Sequence, residues 1–336
     1  MSSVIMSADR QSPVGASGKA VPARRRTWLR SAAFFVVVIL LWAGVLELFL
    51  RVADFRALRI LPESGRLPYE HDPELGWLPI ANKIASGGVR LNSLGLRDIE
   101  ITPTQKPTIL FVGDSFVYGL GVKDGERFTD RLRERLPDFR IANAGVAAYG
   151  TDQAYLLLRR LWPTLKPRVV MLIVCVENDH NDNSTNSVHG HTFKPYLAPV
   201  GGEWKFQGIP VPRNHRWYYR HNWLAARSAL VRGAILAYMY VRYPKVVVPD
   251  PTGRLVGMMR DYVEAQGAIF LVGLQHHDRA LEPHLISRNI PYTRLGDAEI
   301  IPGDGHWNPR GHITVAKRIL DLFAAQKVIE AAASKP

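Results

Sequence analysis

Residues 108–115 read TILFVGDS, an apolar run that ends in Gly-Asp-Ser. The run Thr108–Val112 has the length of a strand, and the glycine directly after it predicts a turn. Its apolar residues are continuous rather than alternating, which indicates a strand that is buried on both faces. Such a strand lies inside a sheet and delivers Ser115 at its carboxyl end.

Apolar runs and helical patterns alternate after this strand. Short apolar runs predict further strands, and apolar residues spaced by three or four predict helices. The predicted strands are Arg140–Asn143, Val169–Val176 and Ala268–Leu274, and the predicted helices are Arg127–Leu136, Asp152–Trp162, Gly257–Gln266 and Pro309–Ala325. This alternation predicts an α/β fold, a three-layer α/β/α sandwich with a mostly parallel sheet.

The segment Ser31–Leu50 is twenty residues long and carries a single charge, Glu47, near its end. A helix of this length spans about 30 Å, the thickness of a bilayer core. A cleaved signal peptide would have a shorter apolar region, and a buried core helix is rarely apolar on all faces. We therefore expect a transmembrane anchor at 31–50. Residues 1–30 hold six Lys/Arg and one Asp, which favours a disordered cytoplasmic tail before the anchor.

The rest of the chain divides into three regions by composition. Residues 51–105 contain several prolines and are predicted to form an irregular juxtamembrane region with short strands. Residues 106–328 carry the strand–helix alternation and form the predicted catalytic domain. Residues 183–250 interrupt this alternation and are rich in Trp, Tyr, Arg and Pro. We expect this insertion to lie over the active edge of the sheet, although it could equally be an extra packing layer.

The formal net charge is +13, and basic residues are scattered along the chain. No zinc-finger spacing or aromatic RNA-binding signature accompanies them, so we expect no nucleic-acid partner. A basic surface that faces an anionic membrane or polysaccharide is the simpler interpretation. The only cysteine, Cys175, excludes an internal disulfide and lies in an apolar run that predicts burial.

Functional groups in an open parallel sheet gather at the carboxyl ends of its strands. Four segments that follow a predicted strand or precede the last helix contain such groups. They are Gly113-Asp114-Ser115, Asn143–Gly150, Asn178-Asp179 and Asp304-Gly305-His306. Together they supply a hydroxyl, a small-residue turn, an amide and an acid–imidazole pair. Acyl transfer through a serine needs this set.

In this order the four segments resemble the motifs of the SGNH hydrolases, also called GDSL-type esterases. The resemblance covers about residues 107–325 and implies the flavodoxin-like SGNH fold and a serine-dependent ester hydrolase or acyltransferase. Phe116 and Val117 follow the serine, so the G-x-S-x-G elbow of the α/β-hydrolases is absent. Asn143–Gln153 and Asp304–His312 are also similar to the branch that acts on O-acetyl groups of bacterial polysaccharides.

The resemblance assigns roles to individual residues. Ser115 is the implied nucleophile, His306 the general base and Asp304 the residue that orients the imidazole. This chain spaces the last pair as D-x-H, whereas many members use D-x-x-H. The implied oxyanion donors are the backbone N–H of Ser115, a backbone N–H at Ala148 or Gly145, and the side chain of Asn178. The glycine that the family has in the second motif falls at Ala148.

Five residues in or near these segments are candidates for lining the substrate site, namely Asp114, Tyr149, Asp179, His276 and Trp307. The resemblance implies no cofactor. We expect no metal either, because the pair His276-His277 has no evident third ligand nearby in the sequence.

Three functions follow as hypotheses. The first is an esterase that removes O-acyl groups, expected to be acetyl, from an extracytoplasmic carbohydrate, which is periplasmic in a Gram-negative cell. The second is an O-acetyltransferase that passes the acyl group to a polysaccharide hydroxyl and needs a membrane-bound acyl-donor protein as partner. The third is a non-catalytic glycan-binding or scaffold protein on the same fold.

Overall fold

The computed structural model describes residues 23–60, 68–85, 88–189 and 192–333. The chain forms two compact units. Of the described residues, one unit contains 23–59 together with Ser228–Leu230, and the other contains those from Ile60 to Arg227 and from Val231 to 333. The sequence predicted boundaries after residues 30, 50 and 105, which remain predictions, and the structure divides the chain between Arg59 and Ile60.

The first unit consists mainly of the helix Ala23–Ala53. Its part Thr27–Ala53 contains an 18-residue window with a mean hydropathy of 2.6 and is long and apolar enough to cross a membrane. The one carboxylate in this apolar stretch, Glu47, accepts hydrogen bonds from Ser228 Oγ at 2.8 Å and from the backbone N–H groups of Ala229 and Leu230 at 2.9 and 2.7 Å. These partners balance a charge that would otherwise be costly in apolar surroundings.

The second unit is built on a five-stranded parallel sheet. Its strands in chain order are β1 (Thr108–Gly113), β2 (Arg140–Gly145), β3 (Val169–Val174), β4 (Ile269–Leu274) and β5 (Tyr292–Arg294). Their order across the sheet is β5-β4-β3-β1-β2, and every pair is parallel. This is the flavodoxin-like order, and the predicted fold class is confirmed.

Helices cover both faces of the sheet, because alternate residues of each buried strand point to opposite sides. In β1, Leu110 and Val112 join a core with the helices Thr151–Leu165 and Thr252–Ala265. Ile109 and Phe111 join a second core with the helices Phe128–Arg135 and Pro309–Ala325. The two cores make the three-layer sandwich. Cys175 is buried at the end of β3, as predicted.

The remaining elements are short. Before β1 there are a 3-10 turn, Arg56–Leu58, and a hairpin, Tyr69–Asp72 with Gly76–Pro79. The predicted insertion contains the hairpins Ser187–Val188 with Thr192–Phe193 and Tyr196–Val200 with Glu203–Gln207, followed by the helices His215–His221, Trp223–Arg227 and Ala229–Arg242. The other short helices are Ser115–Tyr118, Asp179–Asn183, Leu281–Ser287 and Val328–Ala333.

Two predicted helix bounds were wrong. The helix predicted to begin at Gly257 begins at Thr252, five residues earlier. The helix Thr151–Leu165 continues through Pro163, where the sequence predicted a stop after Trp162. A proline so close to the end removes only one backbone hydrogen bond, and the N–H of Lys166 closes the helix on the carbonyl of Trp162 at 2.8 Å. The sequence also predicted neither β5 nor the helix Leu281–Ser287.

Candidate active site

The nucleophile turn, residues 113–119, leads from β1 into the helix Ser115–Tyr118. Asp114 caps this helix, and its Oδ1 accepts a hydrogen bond from the N–H of Phe116 at 2.9 Å. Gly113 has a φ of +154°, and a Cβ there would lie 2.7 Å from the carbonyl oxygen of Ile173. The chain therefore needs glycine at this position to turn away from β3 and to present Ser115, which is half-buried, at the sheet edge.

The base loop, residues 299–308, is closed by its own backbone. The N–H of Ile301 donates to the carbonyl of His306 at 2.7 Å, and the N–H of Asn308 donates to the carbonyl of Glu299 at 3.0 Å. Asn308 then caps the helix Pro309–Ala325, and its Oδ1 accepts from the N–H of Gly311 at 2.8 Å. The loop thus holds His306 three residues before the start of a long, well-capped helix.

The nucleophile turn and the base loop meet although Ser115 and His306 are 191 positions apart. Nε2 of His306 lies 2.9 Å from Oγ of Ser115, and Nδ1 of His306 is hydrogen-bonded to Oδ1 of Asp304. This hydrogen bond lowers the pKa of Asp304. The Asp304 side chain is 47% exposed, so water competes for the carboxylate. The three residues have the connectivity of a serine–histidine–aspartate triad.

An aromatic cluster supports the imidazole from the side. The ring centroid of Phe116 lies 5.1 Å from that of His306 and 4.7 Å from that of Trp307. Trp307 also meets the ring of Phe128 at 6.2 Å. The residue after the nucleophile thus contacts the base directly. This role of Phe116 could not be predicted from the sequence, because a phenylalanine in an apolar stretch indicates only burial.

Two backbone N–H groups are available for an oxyanion. Within the described part of the chain, the N–H groups of Ser115 and Ala148 donate to no protein acceptor. Ala148 has a φ of 65°, a left-handed conformation that glycine adopts more readily. The glycine that the resemblance places at this position would adopt this conformation without strain. The donor roles of Ser115 and Ala148 remain predictions that this geometry permits.

Gly145 has a different place. Its N–H already donates to Oδ1 of Asn143 at 3.0 Å, at the carboxyl end of β2. A Cβ at Gly145 would lie 2.2 Å from the backbone nitrogen of Tyr118 and 2.5 Å from the carbonyl carbon of Val117. Gly145 therefore lets the second loop, which is the motif segment Asn143–Gly150, approach the nucleophile helix Ser115–Tyr118 closely. Its amide is not free to bind an oxyanion.

Asn178 lies at the start of the helix Asp179–Asn183 and is half-buried. Its Nδ2 donates to Oδ2 of Asp182 at 3.1 Å, and its Oδ1 contacts Sγ of Cys175. An amide nitrogen carries two hydrogens, so one remains for a ligand while Asp182 fixes the orientation of the group. Asp182 was not among the predicted site residues. The predicted donor role of Asn178 remains a prediction.

Four of the five predicted lining residues are buried, which corrects their assignment. The side chains of Asp114, Tyr149, Asp179 and Trp307 are each at most 2% exposed. Burial raises the pKa of Asp114 to about 6 and that of Asp179 well above its usual range. These residues support the site from the interior. The fifth, His276, has a side chain that is 41% exposed and lies 3.4 Å from Glu177.

Several other polar contacts hold the loops around the site. Lys194 of the insertion is fully buried and pairs with Asp152, at the start of the helix that follows the second motif. His180 bridges Asp250 and Asp278 at 2.6 and 2.7 Å.

Among the described residues, no group of three or more His, Cys, Asp or Glu side chains is arranged to hold a metal ion.

No family model matches the chain. No curated protein matches it either. Solved structures that resemble it include TesA (14% identity, TM-score 0.39, 65% of this chain and 98% of the other) and the esterase EstA from Pseudoalteromonas sp. inhibited by monoethylphosphonate (11%, 0.39, 66% and 98%). A carbohydrate acetylesterase family member from Sinorhizobium meliloti is similar at 13% identity, with a TM-score of 0.35 over 65% of this chain and 98% of the other. At such low identities and TM-scores, the assignment of the site rests on its residues and their geometry.

Proposed function

We propose that the chain is a serine-dependent ester hydrolase. One observation carries the proposal: Oγ of Ser115 lies 2.9 Å from Nε2 of His306, whose other ring nitrogen is held by Asp304. This contact joins two loops that are remote in sequence, and it brings a proton acceptor, His306 Nε2, within hydrogen-bonding distance of the Ser115 hydroxyl. A scaffold protein would need neither the contact nor the free N–H groups of Ser115 and Ala148.

The proposed reaction has two stages. His306 Nε2 takes the proton of Ser115 as Oγ attacks the ester carbonyl, and the carbonyl electrons move to its oxygen, which the free N–H groups of the two loops stabilise. The bond to the alcohol oxygen then breaks, His306 returns the proton to that oxygen, and an acyl-Ser115 remains. Water repeats the sequence with His306 as base and releases the acid. Asp304 holds the imidazole and stabilises its charged form.

For the substrate we propose an acyl ester, in particular an acetyl ester, on an extracytoplasmic carbohydrate. The support is the resemblance of Asn143–Gln153 and Asp304–His312 to the branch that acts on polysaccharide O-acetyl groups. The exposure of the Asp304 side chain adds to this support, because an open rim can admit a group on a polymer. In a transferase, a sugar hydroxyl would replace water at the acyl-enzyme.

The location is proposed from the apolar helix and the charges before it. We propose that Thr27–Ala53 crosses the membrane with the basic amino terminus in the cytoplasm and the catalytic unit outside, in the periplasm of a Gram-negative cell. Protease added to spheroplasts should then digest the catalytic unit of the full chain. Protection until the membrane is lysed would place this unit in the cytoplasm.

The activity is tested with the full chain in detergent and nitrophenyl acetate as substrate. Wild type should release nitrophenol, and Ser115→Ala should lower the rate by about 10⁴-fold or more with an unchanged melting temperature. Equal rates for the two proteins would remove Ser115 from the chemistry and leave the glycan-binding hypothesis. An acetylated glycan with a free glycan acceptor, followed by mass spectrometry, then separates release of acetate from transfer to the acceptor.

A further inference from the structure

The segment just before β1 contains two buried charges that the reaction scheme does not use. Arg97 is 1% exposed and Asp98 is 7% exposed, and they are adjacent in the chain. Burying a guanidinium or a carboxylate is unfavourable unless its hydrogen bonds are satisfied. The partners of the two side chains therefore indicate what their burial achieves.

Arg97 binds the chain that leaves the nucleophile helix. Its Nη1 donates to the carbonyl oxygens of Gly119 and Tyr118, the latter at 3.3 Å, and its Nη2 donates to that of Val122 at 2.6 Å. Its Nε donates to Asp124 at 3.0 Å. The guanidinium thus satisfies carbonyl groups that a helix end leaves without partners.

This contact matters because the helix Ser115–Tyr118 has only four residues. So short a helix has too few internal hydrogen bonds to be stable by itself. Gly119 ends it in a left-handed conformation, with a φ of 77°, and the N–H of Gly119 donates to the carbonyl of Ser115 at 3.0 Å. Through Gly119, Arg97 is one hydrogen bond away from the backbone of the nucleophile.

Asp98 binds the second loop. Its Oδ2 accepts from the N–H of Asn143 at 2.8 Å, and its Oδ1 accepts from Arg133 at 2.6 Å. The side chain of Asn143 donates to the carbonyl of Val117, in the nucleophile helix, at 2.7 Å. Asn143 lies near the carboxyl end of β2, five residues before Ala148. The adjacent residues 97 and 98 therefore hold the nucleophile helix and the second loop.

We propose that Arg97 and Asp98 are positioning residues that set the placement of Ser115 relative to the backbone N–H of Ala148. The proposal rests on the hydrolase function inferred above. A donor stabilises an oxyanion only when it lies within about 2.7–3.1 Å of that oxygen. A displacement of about 1 Å between two parts of a site can lower the rate about 10²-fold. Loss of the contacts should therefore lower kcat and leave KM little changed.

The test uses the full chain in detergent and compares Arg97→Met with Arg140→Met. Arg140 is a matched control because it lies at the amino ends of β1 and β2, whereas the catalytic residues lie beyond the carboxyl ends of the strands. It donates to Oγ1 of Thr108 at 2.9 Å and to the carbonyl of Leu165 at 3.1 Å. Both substitutions remove a guanidinium that ties segments together, but only Arg97 contacts the catalytic loops.

We expect Arg97→Met to lower kcat for nitrophenyl acetate about 100-fold, with KM within about threefold of wild type. The rate at which a phosphonate ester inhibitor reacts with Ser115 should fall by the same factor. Arg140→Met should lower the melting temperature without this loss of kcat. Arg97→Lys keeps the charge but not the forked donors, so it should recover part of the rate. A folded Arg97→Met protein with wild-type kcat, or an equal loss in Arg140→Met, would overturn the proposal.

Two further variants keep the test decisive. Where Arg97→Met does not fold, Arg97→Lys and Asp98→Asn take its place, each with an expected loss of kcat of about 10-fold and an unchanged KM. Wild-type kcat in both variants would end the positioning role. Ser115→Ala is measured in parallel, since activity without Ser115 contradicts the hydrolase function itself. Activity that requires Ser115 but not Arg97 contradicts only this inference.

Discussion

The nucleophile turn and the base loop hold the two halves of one catalytic pair in different ways. Asp114 beside Ser115 is buried, and burial raises its pKa to about 6. Asp304 beside His306 is half-exposed, and the hydrogen bond from His306 lowers its pKa. The position of the nucleophile is thus set by the interior of the protein, whereas the position of the base is set by local hydrogen bonds in a solvent-exposed loop.

This difference predicts how each half tolerates change. Buried side chains behind the nucleophile turn bind its backbone, as Arg97 does at Gly119 and Asn143 at Val117, so a change there should be transmitted to Ser115. The base loop is closed by its own backbone hydrogen bonds and by the ring of Phe116 against His306. Losing one side-chain contact in this loop should therefore have a limited effect on the position of the imidazole.

Among the substitutions at Asp304, Asp114 and Ala148, Asp304→Asn should lower the activity most. The substitution removes the charge that holds the imidazole, and a buried triad aspartate loses about 10⁴ in kcat by this change. Because Asp304 is half-exposed and screened by water, we expect a smaller loss in kcat/KM, about 10- to 100-fold. Nitrophenyl acetate hydrolysis measures it, with Asp304→Glu as the control that keeps the charge. A loss near 10⁴ would show that this aspartate acts as if it were buried, and the contrast between the two halves would disappear.

Asp114→Asn tests the buried half through stability. The folded protein keeps the Asp114 proton up to about pH 6, whereas the unfolded chain releases it near the ordinary value of 3.8. The contribution of this group to the free energy of unfolding is therefore greatest below about pH 4 and falls as the pH rises to about 6. The slope is at most about 1.4 kcal/mol per pH unit for one proton.

Asparagine keeps an oxygen that can accept from the N–H of Phe116 and has no proton to release. Relative to wild type, Asp114→Asn should therefore gain stability between pH 4 and pH 7, measured by urea unfolding of the full chain in detergent. Asp304→Asn is the comparison, because its exposed carboxylate should give little change over this range. A constant difference between wild type and Asp114→Asn would contradict the raised pKa.

Much of the framework could be predicted because its signals are local. The buried strand at Thr108–Gly113 and the helix Pro309–Ala325 follow from a continuous apolar run and from a proline at a helix start. The motif residues Ser115 and His306 follow from their places at the end of a strand and before a helix. β5, with three residues and no apolar run, has no such signal.

The supporting residues could not be predicted, because their partners are backbone groups far away in the chain. Arg97 binds carbonyl groups more than twenty positions later, and every residue type has a carbonyl. Burial of Tyr149 and Trp307, which had been expected to line the site, depends on tertiary packing that the motif does not encode. Sequence therefore indicated the reacting groups, and only the structure showed what holds them.

The smallest effect is expected from Ala148→Gly, which changes the backbone of the second loop and no side-chain contact of the triad. Ala148 has a φ of 65°, a conformation that is unfavourable by roughly 1–2 kcal/mol for a residue with a Cβ. Glycine removes this strain, but it also gives the unfolded chain more conformational entropy, which lowers the free energy of unfolding by roughly 0.4–1 kcal/mol. On balance the free energy of unfolding of the variant should be about 0.5–1 kcal/mol higher than that of wild type. Urea unfolding measures this gain. Ala147→Gly, at a position whose φ is not positive, should be less stable than wild type in the same measurement.

Because Ala148→Gly retains the N–H of residue 148, its kcat should stay within about twofold of wild type. A large loss of kcat in Ala148→Gly would mean that the methyl group of Ala148 keeps this N–H in place. The second loop would then, like the nucleophile turn, depend on buried side chains for the position of its catalytic groups.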